Sequence, residues 1–538
     1  MGCIKSICNL CLLTIIGVCF TFHLSMADLE AYSRCLAAHS SPSYPISDVT
    51  FFPNNPRYPS VLNDYIRNLV FVKPSTPKPL FIVAAKHVSH IQASIMCCRK
   101  YGLEIRIRSG GHDYDGLSYV SENPFVIVDM FNMRSVSVNL DDETAWIDSG
   151  ATLGEVYYEI SRKSRVHSYP AGVCPTVGVG GHLSGAGYGN LIRKYGLTVD
   201  HVSDAIIVDA NGAVMDRKAM GEDLFWAING GGGASFGIIV SWKIKLVRVP
   251  ESVAVFRVER TLEEGASDIV YQWQNIAHKI DDDLFIRLVL SPVVNKKQQT
   301  IKAKFNALFL GDAEKLVSLI DEKFPSLGLT KADCIEMSWI ESVLFWSNYP
   351  PGTSLDVMLD RHPIKEKYQK KKSDYVQEPL PKFVLENMWE KMIQLKGPTL
   401  TFNPYGGKMD EFSESQTPFP HRAGNMFKIQ YSVMWKEDEA EALSQNLHRI
   451  REMHNFMTPY VSSNPRRAYL NYRDIDLGVN GNCTPSYEQA SKWARSYFKD
   501  NFDRLIKVKT MVDPTNFFRY EQSIPPIETS SYSLHTTT

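Results

Sequence analysis

Glycine is unevenly spread along this chain of 538 residues. Three glycine-dense tracts stand between residues 108 and 237: RSGGHDYDG (108–116), AGVCPTVGVGGHLSGAGYGN (171–190) and AINGGGGASFG (227–237). Without a Cβ, glycine lets the backbone turn with positive φ and pass close to another group. Loops of this kind between strands and helices often turn backbone N–H groups toward phosphates. Each tract alone reads equally well as a tight turn. Three in one half of the chain favour a large phosphate-bearing cofactor. None follows the G-x-G-x-x-G dinucleotide fingerprint, and none carries the lysine of a G-K-[ST] phosphate loop.

The surrounding pattern fits loops slung between strands and helices. PLFIVAA, EIRIR, PFVIVDM and TAWIDSG read as strands, and VSHIQASIMCCRKYG as a helix stopped by Gly102. TLGEVYYEISRKS reads as a helix with a capping box from Thr152 to Glu155. DAIIVDANGAVMD carries an Asn-Gly hairpin signal at 211–212. From about residue 252 glycine thins out and longer amphipathic helices and alternating strands take over. The stretch from YLNYRDIDLG through DPTNFFRYEQSIPP reads as terminal helices, and the last residues as a disordered tail.

A formal net charge of -1, with 22% charged residues, argues against a general nucleic-acid binder. Residues 1–27 read as a signal peptide: Lys5 precedes the apolar run Leu10–Phe22, and Ser25-Met26-Ala27 fits a small-x-small cleavage site. That run is too short for a comfortable membrane span. The mature chain is expected to begin near Asp28 and to enter the secretory pathway, bound for the extracellular space, cell wall, vacuole or another lumen. Six cysteines lie beyond the signal, so one or two disulfides are expected in that compartment, though spacing does not assign them. No cysteine–histidine spacing suggests a metal site. Asn482-Cys483-Thr484 is the one glycosylation sequon, weakened by its central cysteine.

RSGGHDYDGLSY, CPTVGVGGHLSGAGYGNLIRKYGL, MGEDLFWAINGGGGASFGIIVSWKIKL, YLNYRDIDLG and DPTNFFRYEQSIPP together resemble the plant berberine bridge enzyme-like proteins, FAD-linked oxidases of the vanillyl-alcohol-oxidase type. The resemblance runs in order through the mature chain. It implies an α+β fold, with a two-part FAD-binding domain (28–250) and a substrate domain (251–475) whose large antiparallel sheet is backed by helices. Residues 476–527 would return to the FAD-binding domain and 528–538 form the tail. It implies FAD attached at two points, through His112 and Cys174, with Gly110, Gly111, Val177, Gly178, Gly180, Gly181 and His182 around it. The glycines at 230–233 would also pack against the cofactor. A neutral histidine and a cysteine thiolate are both competent nucleophiles for such bonds. The resemblance also pairs Cys35 with Cys97.

Members of the family differ in their catalytic base. Reticuline oxidase carries glutamate where MFKIQYSVMW here has Gln430, so reticuline-type chemistry is not expected. The alcohol-oxidising members carry Lys-x-Gln, matching Lys428 and Gln430, and pair that lysine with the tyrosine of NYRD, here Tyr472. Tyr114 and Tyr188 match the site's other tyrosines. An ammonium beside Tyr472 should lower its pKa from about 10 and make it a base. Val177 matches a position held by valine in oxygen-reactive members, so O2 is the expected electron acceptor and H2O2 the product. The histidine used by the cannabinoid synthases has no counterpart; Val289 falls near it. The expected activity is oxidation of a small plant metabolite, either a specialised metabolite such as a prenylated phenol or alkaloid or an alcohol such as a monolignol or sugar, by a monomeric enzyme. The alternatives are a redox-neutral cyclisation or cycloaddition catalyst, and a non-catalytic secreted protein.

Overall fold

The computed structural model describes residues 26–295, 297–362, 367–481 and 486–527. Nearly all of the expected signal peptide, the sequon Asn482 and the tail lie outside the described residues. Three sheets of four or more strands organise the described residues. A four-stranded sheet has the order Thr50–Phe51, Ile82–Ala84, Phe125–Asp129, Glu104–Arg108, the last three parallel. An antiparallel five-stranded sheet follows: Val136–Asn139, Thr144–Asp148, Ile238–Lys245, Val202–Val208, Val214–Met215. The largest has seven antiparallel strands in the order Cys334–Ser338, Ser252–Thr261, Gln298–Phe309, Leu284–Asn295, Thr399–Pro404, Phe427–Trp435, Tyr368–Val376. This is the α+β architecture expected.

Alternation in the seven-stranded sheet decides which side chains face what. Side chains two apart share a face of a strand. Leu284, Ile286, Leu288 and Leu290 join Ala303, Phe305 and Ala307, and Ile429, Tyr431 and Val433, in one core. The helices Ala266–Ile276, Ala313–Lys323, Lys382–Leu395 and Ala440–Phe456 cover that face. The intervening residues, among them Arg287, Val289, Lys304, Asn306, Thr401 and Gln430, line a cavity on the other side. The helices Tyr487–Phe498 and Asn501–Val512 send Trp493, Tyr497 and Phe502 into the same core as Trp242, Leu183 and Ile228, far earlier in the chain.

Local expectations hold with instructive differences. The helix Val88–Tyr101 stops at Gly102 in the left-handed region, and Thr152 and Glu155 form both halves of their capping box. The Asn-Gly signal does mark a hairpin, but five residues, 209–213, separate its paired strands. The Asp209 carboxylate accepts from the amides of Asn211 and Ala213 and organises that wider turn. YLNYRDIDLG forms two short 3-10 turns, Leu470–Tyr472 and Ile475–Leu477, and the last helix ends at Val512. Beyond it, Asp513 accepts from the amides of Phe517 and Phe518 and from the Lys509 ammonium, an alternative to helical bonding.

Cys35 and Cys97 form a disulfide that ties the first helix to Val88–Tyr101. The closed loop spans 62 residues, so its loss is expected to cost about 4 kcal/mol on the chain-entropy account. Urea unfolding of Cys35→Ser/Cys97→Ser against the parent checks this. Cys98 stays free and buried, its sulfur 3.1 Å from the Tyr32 hydroxyl. The one cysteine–histidine–carboxylate cluster among the described residues is Cys35, His39 and Cys97, whose two sulfurs are committed to that bond. Among the described residues no helix is long and apolar enough to cross a membrane.

Candidate active site

The first two glycine tracts meet backbone to backbone. A Cβ on Gly110 would lie 2.3 Å from the amide nitrogen of Gly178, and one on Gly111 would lie 1.7 Å from the Tyr65 carbonyl oxygen. Only glycine allows this crossing. Arg108 anchors it from below, buried and paired with Asp129 at 2.6 Å, while Ser109 Oγ donates to the Ser149 carbonyl. The crossing sets His112 and Cys174 on the wall of one cavity of about 630 Å³, a volume typical of ligand sites. His112 Nε2 lies 3.0 Å from Thr176 Oγ1. Burial, then Arg67 and Lys371, lowers His112 to about 3, leaving a neutral imidazole. Cys174 is exposed toward the same space.

The cavity fits a large cofactor along its glycine wall. Gly178, Gly180, Gly181 and Val177 line it, and a Cβ on Gly181 would meet no heavy atom within 4 Å. The hydroxyls of Ser118 and Ser149, also on the wall, are buried with no hydrogen-bond partner among the described residues. Unpaired buried hydroxyls are costly unless a ligand satisfies them. The third tract contributes less than its density suggested. Of Gly230–Gly233 only Gly232 lines the cavity; a Cβ on Gly231 or Gly233 would strike Ala227 or Ile239. Those two serve packing. His182 lines the cavity while its ring bonds Thr198 Oγ1 at 3.0 Å.

The five residues selected for catalysis do converge. Gln430 Nε2 donates to the Tyr114 hydroxyl at 3.0 Å, and the Tyr114 ring stacks on Tyr472 with centroids 5.7 Å apart. The hydroxyls of Tyr188 and Tyr472 share a short hydrogen bond. Lys428 lies behind them, fully buried, with Nζ 3.3 Å from the Tyr188 ring centroid, 3.7 Å from Tyr469 and 4.9 Å from Tyr472. Its nitrogen has no hydrogen-bond partner among the described residues.

This geometry corrects the expected electrostatics. Tyr472 is raised well above its ordinary value, first by burial and then by the neighbouring Tyr188 and Tyr114 hydroxyls. Lys428 is lowered well below 10.5 by burial and by Arg287. Burial with no carboxylate against either group among the described residues favours the neutral amine and the neutral phenol over the ion pair. Lys428 therefore meets ring faces, and the direct partner of Tyr472 is Tyr188.

Sequence reasoning missed three residues here. Tyr469 completes the aromatic enclosure of Lys428. Arg287, inside the quoted DLFIRLVLSPVV, is the cation that acts on Lys428, Tyr188 and Tyr472. Lys371 sits over the Tyr114 ring at 4.2 Å, and burial lowers it to about 8. Its chain neighbours Lys370 and Lys372 turn instead to Asp115, Asp474 and Asp476. Three consecutive lysines look alike on paper; strand alternation separates them.

Comparisons with known proteins agree with this geometry. Residues 79–217 match the family described as FAD binding domain, and residues 468–525 the family described as berberine and berberine like. Berberine bridge enzyme-like 8 of Arabidopsis thaliana is 53% identical over 93% of this chain and 96% of its own length. Tetrahydroberberine oxidase of Berberis wilsoniae is 50% identical over 93% and 95%. Among solved structures, the wild-type grass pollen protein Phl p 4.0202, described as a glucose dehydrogenase, superposes with a TM-score of 0.88 at 44% identity, covering 93% of this chain and 100% of that one. A variant of it carrying isoleucine-to-valine and, five positions on, asparagine-to-histidine substitutions is described as a glucose oxidase. Fold and site thus define an FAD-dependent oxidoreductase. Within that class, the chain belongs to the berberine bridge enzyme-like family.

Proposed function

We propose that this protein is a secreted oxidase that removes a hydride and a proton from a small plant metabolite bearing an oxidisable hydroxyl, with His112 and Cys174 both bonded to FAD and O2 as the final acceptor. The observation that carries the reading is the Lys428–Tyr188–Tyr472 group. A buried amine with no hydrogen-bond partner among the described residues stands behind two linked phenols that line the cavity.

FAD, when bound, supplies the two-electron acceptor. The chain supplies the rest. Tyr188 and Tyr472 present their joined hydroxyls to the substrate. Net uptake of one proton by the group leaves Lys428 as an ammonium among three ring faces, an arrangement that stabilises a cation. Gln430 holds the Tyr114 hydroxyl and so fixes the ring stacked on Tyr472. Lys428 acts through the phenols as a positioning and charge-storing residue.

Val177 supports the choice of O2. Val177 and His182 stand five residues apart, the spacing and the residue types of the grass pollen variant described as a glucose oxidase. A branched four-carbon side chain at 177 would crowd the same wall. Val177→Ile is expected to slow reoxidation by O2 about tenfold or more, equivalent to about 1.4 kcal/mol of barrier, with the rate of substrate oxidation unchanged. Stopped-flow mixing of the reduced enzyme with oxygenated buffer measures it.

The experiment that tests the function is anaerobic mixing of the holoenzyme with sugars, monolignols and prenylated phenolics while following flavin absorbance. Bleaching by one class supports the oxidase and names its substrate. Conversion of a compound without bleaching would overturn it in favour of a redox-neutral cyclisation.

A further inference from the structure

The substrate side of the cavity is strongly cationic. Arg257, Lys304 and Arg287 line it from three adjacent strands of the seven-stranded sheet. In register, Arg257 and Arg287 both oppose Asn306, and Lys304 opposes Val289, so the three cations occupy neighbouring positions on one face. Among the described residues the only carboxylate on the cavity wall is Asp113, which pairs with Arg473 at 3.3 Å. Glu259 opposes Lys304 in register and acts on both Lys304 and Arg257, but its carboxylate is paired with Lys302 at 2.9 Å and it does not line the cavity.

The cations are held in place, with donors left over. Arg257 Nε donates to Asn306 Oδ1 at 3.1 Å, and its Nη2 to the Phe345 carbonyl. Arg287 Nε donates to Asn403 Oδ1 at 2.7 Å, with its guanidinium 5.1 Å from the Trp346 ring. Among the described residues, neither terminal nitrogen of Arg287 nor the Lys304 ammonium has a hydrogen bond or ion pair. Three like charges, of which Arg257 and Lys304 share one neighbouring acid, Glu259, still carry a net positive charge, and an anion that bridges them offsets their mutual repulsion. The cofactor is poorly placed for this role, since these strands lie outside residues 79–217 and the glycine wall is built from other segments. Arg287 also acts on Tyr188 and Tyr472, which links the cationic patch to the reacting end.

We infer that Arg257, Lys304 and Arg287 form a subsite for a carboxylate, so that the substrate of this enzyme is an acid. The inference rests on the oxidoreductase reading above and narrows its substrate to anionic metabolites, leaving neutral sugars and cationic alkaloids disfavoured.

The test is calorimetric titration of the holoenzyme with two isosteric pairs on different scaffolds, glucuronate against glucuronamide and 4-coumarate against 4-coumaramide. At least one acid is expected to bind about tenfold or more tightly than its amide, the effect of one charge-assisted hydrogen bond. Arg257→Gln/Lys304→Met, which leaves the tyrosine cluster untouched, is expected to abolish that preference without weakening the amide. Equal affinities within both pairs, or no binding of either acid, overturns the subsite, as does an equal loss for acid and amide in the variant. Flavin bleaching with the same compounds reports separately on oxidation. Preferential binding of an acid with no bleaching by any compound keeps the subsite and sinks the oxidase. Bleaching with no preference for the acid does the reverse.

Discussion

Lys428→Met is expected to slow anaerobic substrate oxidation by about 10²- to 10⁴-fold, the usual worth of a positioned proton acceptor, while the flavin remains bound. Methionine matches the buried stem and removes only the nitrogen, so the fold should persist; near-UV circular dichroism would check that. The pH profile separates a chemical from a structural role. Lys428 must be unprotonated to store the incoming proton, and burial holds its value well below 10.5. In the parent enzyme the rate should therefore rise with pH through an apparent pKa below that of free lysine, then level off. In Lys428→Met that rising limb should vanish. Tyr472→Phe should also lower the rate, because it breaks the hydroxyl pair with Tyr188. A methionine variant slowed equally at every pH, with the limb intact, would reassign proton uptake to another group.

The second large effect concerns cofactor retention. On the proposed double attachment either bond would suffice for retention, so His112→Ala and Cys174→Ala should each keep flavin with the protein after acid precipitation. The double variant should release all of it to the supernatant, read by absorbance and by intact mass. Release from either single variant would mean a single bond. His112 is suited to its part because burial keeps its ring neutral across working pH and Thr176 orients it. Cys174 is suited by its open position on the same wall.

Much of this was legible in one dimension. Period-two alternation in KIQYSVMW assigns Lys428 and Gln430 to one face and Ile429 and Tyr431 to the other, whatever the sheet order. Thr152 and Glu155 announce a capped helix because their bonds close within one turn. The paired glycines of RSGG and TVGVGG announce a close backbone approach, since no other residue tolerates it. These are local rules, and local rules survive folding.

What the sequence left open depends on contacts between distant segments. That Gly110 crosses Gly178, while Gly231 and Gly233 merely pack, is set by which backbone runs alongside. That Lys428 lies on the Tyr188 and Tyr469 rings, beside a Tyr472 hydroxyl that burial raises well above its ordinary value, follows from enclosure by Tyr188, Tyr469 and Tyr472. Arg257, Lys304 and Arg287 are scattered basic residues in the sequence and become one patch only when their strands pair. The chain by itself determined its elements, its family motifs and the faces its side chains take. Desolvation and the field at each charge are properties of the assembled surroundings, and only the tertiary structure decided them.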